Sequence, residues 1–353
     1  MKLRSLYQKI REGGRIDFSE GVQLLREAPW LELAQLAWER RVQVVPEERA
    51  SYTMFRIINY TNICSVNCSF CSFKRNAGDS KSYVLNKDEV CAKIDHAISL
   101  GADQVFFQGG VNPKLPLEYY IEILQEIKQK YNIHIRAFSP VEIQHFAEQR
   151  GVSITKTLLE LKEAGLDSVP GAGAEILVER VRKILSPKKC SVQEWVTIMK
   201  ECHRSGLKGS ANIVFGSVET EEEIIQHLEV VRSIQDETSG FNAFIPWTFQ
   251  QQTRDFTLRT IPSYYYLKVL ALCRLYLDNI PNIEVSVMVL GKEIGKLALR
   301  MGANDISSPV IEENVLRSYT VTSEAEARQY IEDAGFNPVR RNFDYDYDEQ
   351  GSK

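Results

Sequence analysis

Apolar positions along this chain change their period repeatedly. From about residue 52, short alternating or continuous apolar runs give way to stretches with an apolar residue every three or four positions. That is the pattern of parallel strands joined by crossover helices. The runs 54–59, 105–108, 133–138, 167–169, 211–215, 241–245 and 284–287 read as strands, and Pro246 is expected to end the sixth. Helices are expected near 87–100, 117–131, 176–184, 191–205 and 292–300. Others start at Pro140, at Thr220 and after Pro262. In the second helix Leu117, Tyr120, Ile121, Leu124, Ile127 and Tyr131 form one apolar stripe behind Pro116. Ser139-Pro140-Val141-Glu142 and Thr220-Glu221-Glu222-Glu223 both have capping-box spacing. The turn Gly302-Ala303-Asn304-Asp305 leaves room for an eighth strand. The count predicts an α/β fold, a (β/α) TIM-type barrel, closed or nearly closed. Residues 1–50 read as a helical extension, 51–320 as the barrel, and 321–353 as a helix and strand extension with an acidic, solvated or frayed tail.

Composition narrows the class without naming a function. The chain has 353 residues, 44% hydrophobic and 25% charged, which excludes a disordered or low-complexity polymer. A net charge of −4 gives no general attraction to nucleic acid or anionic lipid. No run approaches the roughly 18 apolar residues that cross a bilayer. Seven cysteines are too sparse for a disulfide scaffold, so a reducing, cytoplasmic setting is expected.

The chemistry concentrates after the first strand, where the loop reads Asn62-Ile63-Cys64-Ser65-Val66-Asn67-Cys68-Ser69-Phe70-Cys71. In a parallel barrel such loops build the active site. Three thiolates at Cys-x3-Cys-x2-Cys spacing can hold three corners of one iron–sulfur cubane and leave the fourth iron open. Zinc with a distant fourth ligand remains the alternative, as a non-catalytic metal-binding barrel; His96 is the nearest histidine after the loop. Cys91, Cys190, Cys202 and Cys273 lack metal spacing and read as small buried hydrophobes. Gly109-Gly110 is either a turn or a close approach to a ligand. Ser139 and Glu142 are accounted for by capping, and Ser139 also stands as a possible ligand contact. Gly171-Ala172-Gly173 is not a dinucleotide fingerprint.

Cys64-x3-Cys68-x2-Cys71, with Phe70 before the last cysteine, resembles the signature of the radical S-adenosylmethionine superfamily. The resemblance extends over about residues 50–316. It narrows, on 170–177, 184–189, 235–241, 244–250 and 311–315, to the enzymes that make menaquinone precursors from futalosine derivatives and their deazaflavin-forming relatives. It is strongest to the cyclic dehypoxanthinyl futalosine synthases, and departs from them at Ala172, Val287 and Ser307-Ser308.

The resemblance implies a [4Fe–4S] cluster on Cys64, Cys68 and Cys71 and S-adenosylmethionine bound at its open iron. It further implies contacts from Phe70, Gly109, Gly110 and Ser139, and Glu175 on the ribose hydroxyls; Glu175 also reads simply as an acid at a helix start. The implied reaction cyclises dehypoxanthine futalosine. A 5′-deoxyadenosyl radical takes hydrogen from the sugar C4′, the carbon radical adds to the benzoate ring, and loss of an electron and a proton restores aromaticity. Asp305, Glu312 and Glu313 are candidate bases, and Glu312 with Glu313 reads equally as a solvated pair. Arg56, Arg136, Arg254 and Arg259 are candidate partners of the benzoate. The implied partners are a small nucleoside-like substrate and an electron donor such as flavodoxin or ferredoxin. The sister activities, aminofutalosine synthase and a deazaflavin synthase subunit, share the cluster loop.

Overall fold

The computed structural model describes residues 2–249, 260–307, 310–311 and 323–347. Its strands are β1 (Arg49–Tyr52), β2 (Phe55–Ile58), β3 (Gln104–Phe107), β4 (His134–Ala137), β5 (Gly209–Phe215), β6 (Phe241–Thr248), β7 (Asn282–Ile283) and β8 (Asn337–Arg340). The helices Lys87–Ser99, Leu117–Lys130, Pro140–Arg150, Val192–Arg204, Glu221–Thr238, Ser263–Tyr276 and Lys292–Arg300 follow the periodic stripes of the sequence. This is a (β/α) barrel of the TIM type.

Parallel pairing runs β2–β3–β4 and β5–β6–β7. Between the two sheets, Ser168 bridges to Arg136, and the Val169 amide donates to the Lys208 carbonyl. On the far side Asp305 bridges to both Glu284 and Ser51, and Val310 bridges to Phe55. The expected strand 167–169 is thus reduced to a bridge. β7 ends at Ile283, because a short helix already begins at Val287. Pro246 does not end β6: Trp247 and Thr248 still pair with Val214 and Phe215.

Strand alternation sorts the side chains into two sets. Val105, Phe107, Ile135 and Ala137 turn outward into one helix-packed core, and Ala211, Ile213 and Phe215 into another. The N-terminal helices Leu3–Arg11, Phe18–Glu27 and Trp30–Val44 lie against the second core, the last one packing on Ser263–Tyr276. Among the described residues no helix is long and apolar enough to cross a membrane.

The C-terminal segment is built into the fold as far as residue 347, with Asp344 and Asp346 solvated as expected but the tyrosine between them buried. β8 pairs in parallel with β1, and the chain then turns beneath the barrel. Arg341 donates to Asp305 at 2.5 and 3.1 Å and to Glu284 at 3.0 Å, and the Tyr345 hydroxyl donates to Glu284 at 2.7 Å. Phe343 stacks on His134 with centroids 4.4 Å apart. Ser51, which bridges to Asp305, lies four residues before Phe55, so this network closes the N-terminal end of the strands. Arg341 and Glu284 are 4% exposed at their side chains and Asp305 is 0%. Removing one partner leaves the others charged and dry. Arg341→Ala is therefore expected to cost about 3–5 kcal/mol of folding free energy, read by denaturant unfolding.

Candidate functional site

The loop after β2 is tied down by backbone hydrogen bonds before any ligand is considered. The Cys64 amide donates to the Arg75 carbonyl, Arg75 to Asn62, Ser65 to Val111, and Ser69 to Leu185. Asn67 takes a left-handed φ of 58°, which turns the chain between the first two cysteines. The end of β3 presses on this loop. A Cβ at Gly110 would lie 2.3 Å from the Ile63 carbonyl oxygen and 3.0 Å from the Cys64 Cβ; one at Gly109 would lie 2.7 Å from the Tyr60 ring. Both glycines are close-approach positions. The Gly110 amide is already donated to the Thr61 carbonyl, so this residue seats the loop and has no amide left for a ligand.

Cys64, Cys68 and Cys71 line one cavity of about 200 Å³, together with Phe70, Gly109, Ser139, Glu142, Gly173, Glu175 and Lys189. Among the described residues no three His, Cys, Asp or Glu side chains converge as a single-ion site. Instead the three thiols border a shared space beside backbone that only glycine permits. The donor set, three soft sulfurs with no fourth, fits a cluster held at three corners. Burial raises the Cys68 thiol, and the neighbouring Lys189 ammonium opposes that shift.

The opposite wall is polar. Phe138 has φ 64° and is fully buried, an uncommon conformation for an aromatic residue, and it swings the chain so that Ser139 caps Pro140–Arg150. Ser139 Oγ accepts from the Glu142 amide at 3.3 Å, but the carboxylate does not return to the Ser139 backbone amide. It faces the cavity wall, accepting from the Tyr60 hydroxyl, from Ser139 Oγ at 2.5 Å and from the Gly109 amide at 3.4 Å. The capping account of Glu142 is thereby corrected: it is a buried carboxyl of the site, pushed up to about 7 by burial, with the three donors opposing. Its sequence signal was hidden, because one Glu at cap+3 satisfies both roles.

Lys189 was missed as well. Its ammonium donates to Glu175 Oε1 at 2.6 Å and stands 5.5 Å from the centre of the Phe70 ring, and both side chains are about nine-tenths buried. Glu175 itself sits at φ 42° on the turn that carries it into the cavity. Phe70 meets Phe249 edge-on at 5.1 Å.

The remaining candidates are not brought here. Asp305 is sealed at the far end of the barrel with Arg341 and Ser51, and neither of its oxygens is free. Arg56 turns outward, donating to the Lys93 carbonyl beside His96. Arg136 faces the barrel axis. Glu312, Glu313, Arg254 and Arg259 lie outside the described residues. Cys91, Cys190, Cys202 and Cys273 are buried and free.

Residues 58–231 match the model of the radical SAM superfamily, and residues 238–353 match the CofH/MqnC C-terminal region. The chain is 37% identical over 351 residues to a cyclic dehypoxanthine futalosine synthase of Halalkalibacterium halodurans, covering 98% of this chain and 95% of that one. It is 34% identical to the 5-amino-6-(D-ribitylamino)uracil–L-tyrosine 4-hydroxyphenyl transferase of Methanopyrus kandleri, covering 96% and 93%. Among solved structures it resembles the FeFe-hydrogenase maturase HydG from Carboxydothermus hydrogenoformans, with a TM-score of 0.77 at 17% identity over 98% of this chain and 80% of that one.

Two measurements check the site. Gly110→Ala must displace the Ile63 carbonyl, so iron and sulfide per chain after anaerobic reconstitution are expected to fall severalfold. Glu142 supplies a pH signature. A carboxyl raised from 4.5 to about 7 holds its proton better when folded, so the cofactor-free chain loses stability as pH rises from about 4.5 to 7, then levels off. The loss is on the order of 3 kcal/mol. Glu142→Gln is expected to flatten that slope in urea titrations at pH 5 and 8.

Proposed function

The chain belongs to the radical S-adenosylmethionine superfamily, in the group marked by the CofH/MqnC C-terminal region, and from that premise we propose that it cyclises dehypoxanthine futalosine. The family works with a [4Fe–4S] cluster and S-adenosylmethionine. What supports the reading most is the 37% identity to a cyclic dehypoxanthine futalosine synthase across 98% of this chain and 95% of that one. We further assign residues 1–50 to an N-terminal extension, 51–320 to the barrel and 321–353 to a C-terminal extension, and the protein to the cytoplasm with flavodoxin or ferredoxin as its reductant.

When bound, the cluster and S-adenosylmethionine supply an electron and a carbon radical able to remove hydrogen from an unactivated carbon. The chain's own residues bind, orient and exclude water. Cys64, Cys68 and Cys71 would hold the cluster at the cavity's mouth, where Phe70, packed on Phe249, shields one side from solvent. Gly109 brings its backbone and the Glu142 carboxylate to the cavity wall together, an acceptor surface suited to an ammonium group. An ammonium placed there favours the charged carboxylate and opposes the upward shift that burial imposes on Glu142. Across the cavity Glu175 would accept from ribose hydroxyls while Lys189 fixes its carboxylate and offsets its charge. With Asp305 committed to Arg341, the proton lost at the end of the cyclisation leaves through another group, and Glu312 and Glu313 are the remaining candidates.

The test is direct. Reduced, reconstituted enzyme is expected to convert dehypoxanthine futalosine to a product carrying a new sugar-to-ring carbon bond, with 5′-deoxyadenosine formed alongside. Cys68→Ser should retain far less iron and make neither. If instead the enzyme joins tyrosine's 4-hydroxyphenyl group to 5-amino-6-(D-ribitylamino)uracil, the activity named for the Methanopyrus relative, the cyclase reading fails.

A further inference from the structure

The axis of this barrel is not filled. In a TIM barrel whose interior is packed, the inward positions are the driest. Here the outward positions of β3, β4 and β5 are buried, while the alternate ones, Phe106, Arg136, Asn212 and Val214, are partly exposed. Trp247 on β6, which pairs with Val214, is partly exposed too. Phe55, Phe106 and Trp247 all pack against Ile57 and Val310, so these rings line one chamber. Its floor is the Arg341 network.

Polar atoms without a partner gather in that chamber. Arg136 Nε, Asn212 Oδ1, Trp247 Nε1 and Ser286 Oγ are each buried with no hydrogen bond. Three lie on inward positions of β4, β5 and β6, and Ser286 shares the inward register of Glu284. A desolvated polar atom with no partner costs stability that nothing in the fold returns, so several on one lining point to a ligand.

Arg136 is the charged member. One amino nitrogen donates to Ser210 Oγ, and the guanidinium lies 5.0 Å from the centre of the Phe106 ring. The titratable groups around it are Glu284, Arg341 and Tyr345. Glu284 is taken by Arg341 and Tyr345, and Asp305 by Arg341 and Ser51. Among the described residues no carboxylate pairs with Arg136. Its Nε–H is left without an acceptor beside the Nη2 that donates to Ser210 Oγ, so the guanidinium keeps donor capacity that a carboxylate could take.

We propose that Arg136 determines specificity for an aryl carboxylate, whose acid group pairs with the guanidinium and whose ring lies among Phe55, Phe106 and Trp247. Asn212 and Ser286 would then read hydroxyl groups on the rest of the molecule. The assignment of this chamber to the substrate rests on the proposed function; the aryl acid as ligand class rests on the chamber itself.

Benzoate and its neutral isostere benzamide separate the two. With reconstituted holoenzyme, quenching of tryptophan fluorescence is expected to show benzoate binding at least about tenfold tighter than benzamide. Arg136→Gln should erase that preference, and Arg136→Lys should restore part of it. Equal binding of the two probes by the wild-type enzyme, or an unchanged preference in Arg136→Gln, overturns the proposal. Should Arg136→Gln fail to fold, Asn212→Asp places a negative charge in the same chamber and is expected to weaken benzoate alone; equal weakening of both probes counts against the proposal. In turnover, Arg136→Gln should raise KM for the acid substrate more than it lowers kcat. A benzoate preference without any cyclised product removes the proposed reaction and keeps this site, whereas cyclisation with an unchanged KM in Arg136→Gln does the reverse.

Discussion

The contact on which the site depends is backbone against backbone: the end of β3 lying on the cysteine loop with no space for a side chain at Gly110. The Gly110 amide and the Ser65 amide stitch the two segments together from either side. That seam sets where three thiols can stand relative to the barrel mouth. It also brings Gly109 beside Tyr60, whose hydroxyl holds Glu142. A single steric constraint thus fixes both the sulfur wall and the carboxyl wall of the cavity. Neither wall is built from a flexible element: each is anchored on a strand end.

The two ends of the barrel divide their electrostatics differently. At the N-terminal end, Arg341, Glu284, Asp305, Tyr345 and Ser51 satisfy one another in a dry cluster, contributed in part by a segment more than 30 residues beyond the barrel's last strand. At the other end polar atoms stay unpaired, and burial pushes the Glu142 carboxyl up. Pairing charge at the floor keeps carboxylates there from competing for Arg136. It also explains why a conspicuous acid such as Asp305 sits at a strand end without being a base: its oxygens are spent on structure.

What was legible in the sequence followed from period and spacing. Alternation and helical stripes placed the βα order, and Lys292–Arg300 appears with the bounds the stripe implied. The cysteine loop was legible because ligand spacing is local. Three things were not. The β1–β8 pair consists of Arg-Ala-Ser-Tyr and Asn-Pro-Val-Arg, too short and irregular to show a period. Glu142 was concealed by its cap position. Lys189 is one of two adjacent lysines, and only the fold tells which of them turns inward to Glu175. Each depends on a neighbour more than ten residues away, which no local pattern can encode.

The unfilled axis connects these facts. A barrel that leaves its centre open forgoes apolar packing at the place where packing is ordinarily densest, and must recover stability elsewhere. Here the recovery is visible in the two helix-packed cores outside the strands and in the cluster beneath them. The N-terminal helices pack against the flank that carries β5 to β7, so the half of the barrel lining Asn212 and Trp247 is braced from outside. The C-terminal segment plugs the floor. Both extensions therefore do for this barrel what interior side chains do for a filled one, and the chamber below the cysteines can stay vacant of protein without the strands collapsing into it.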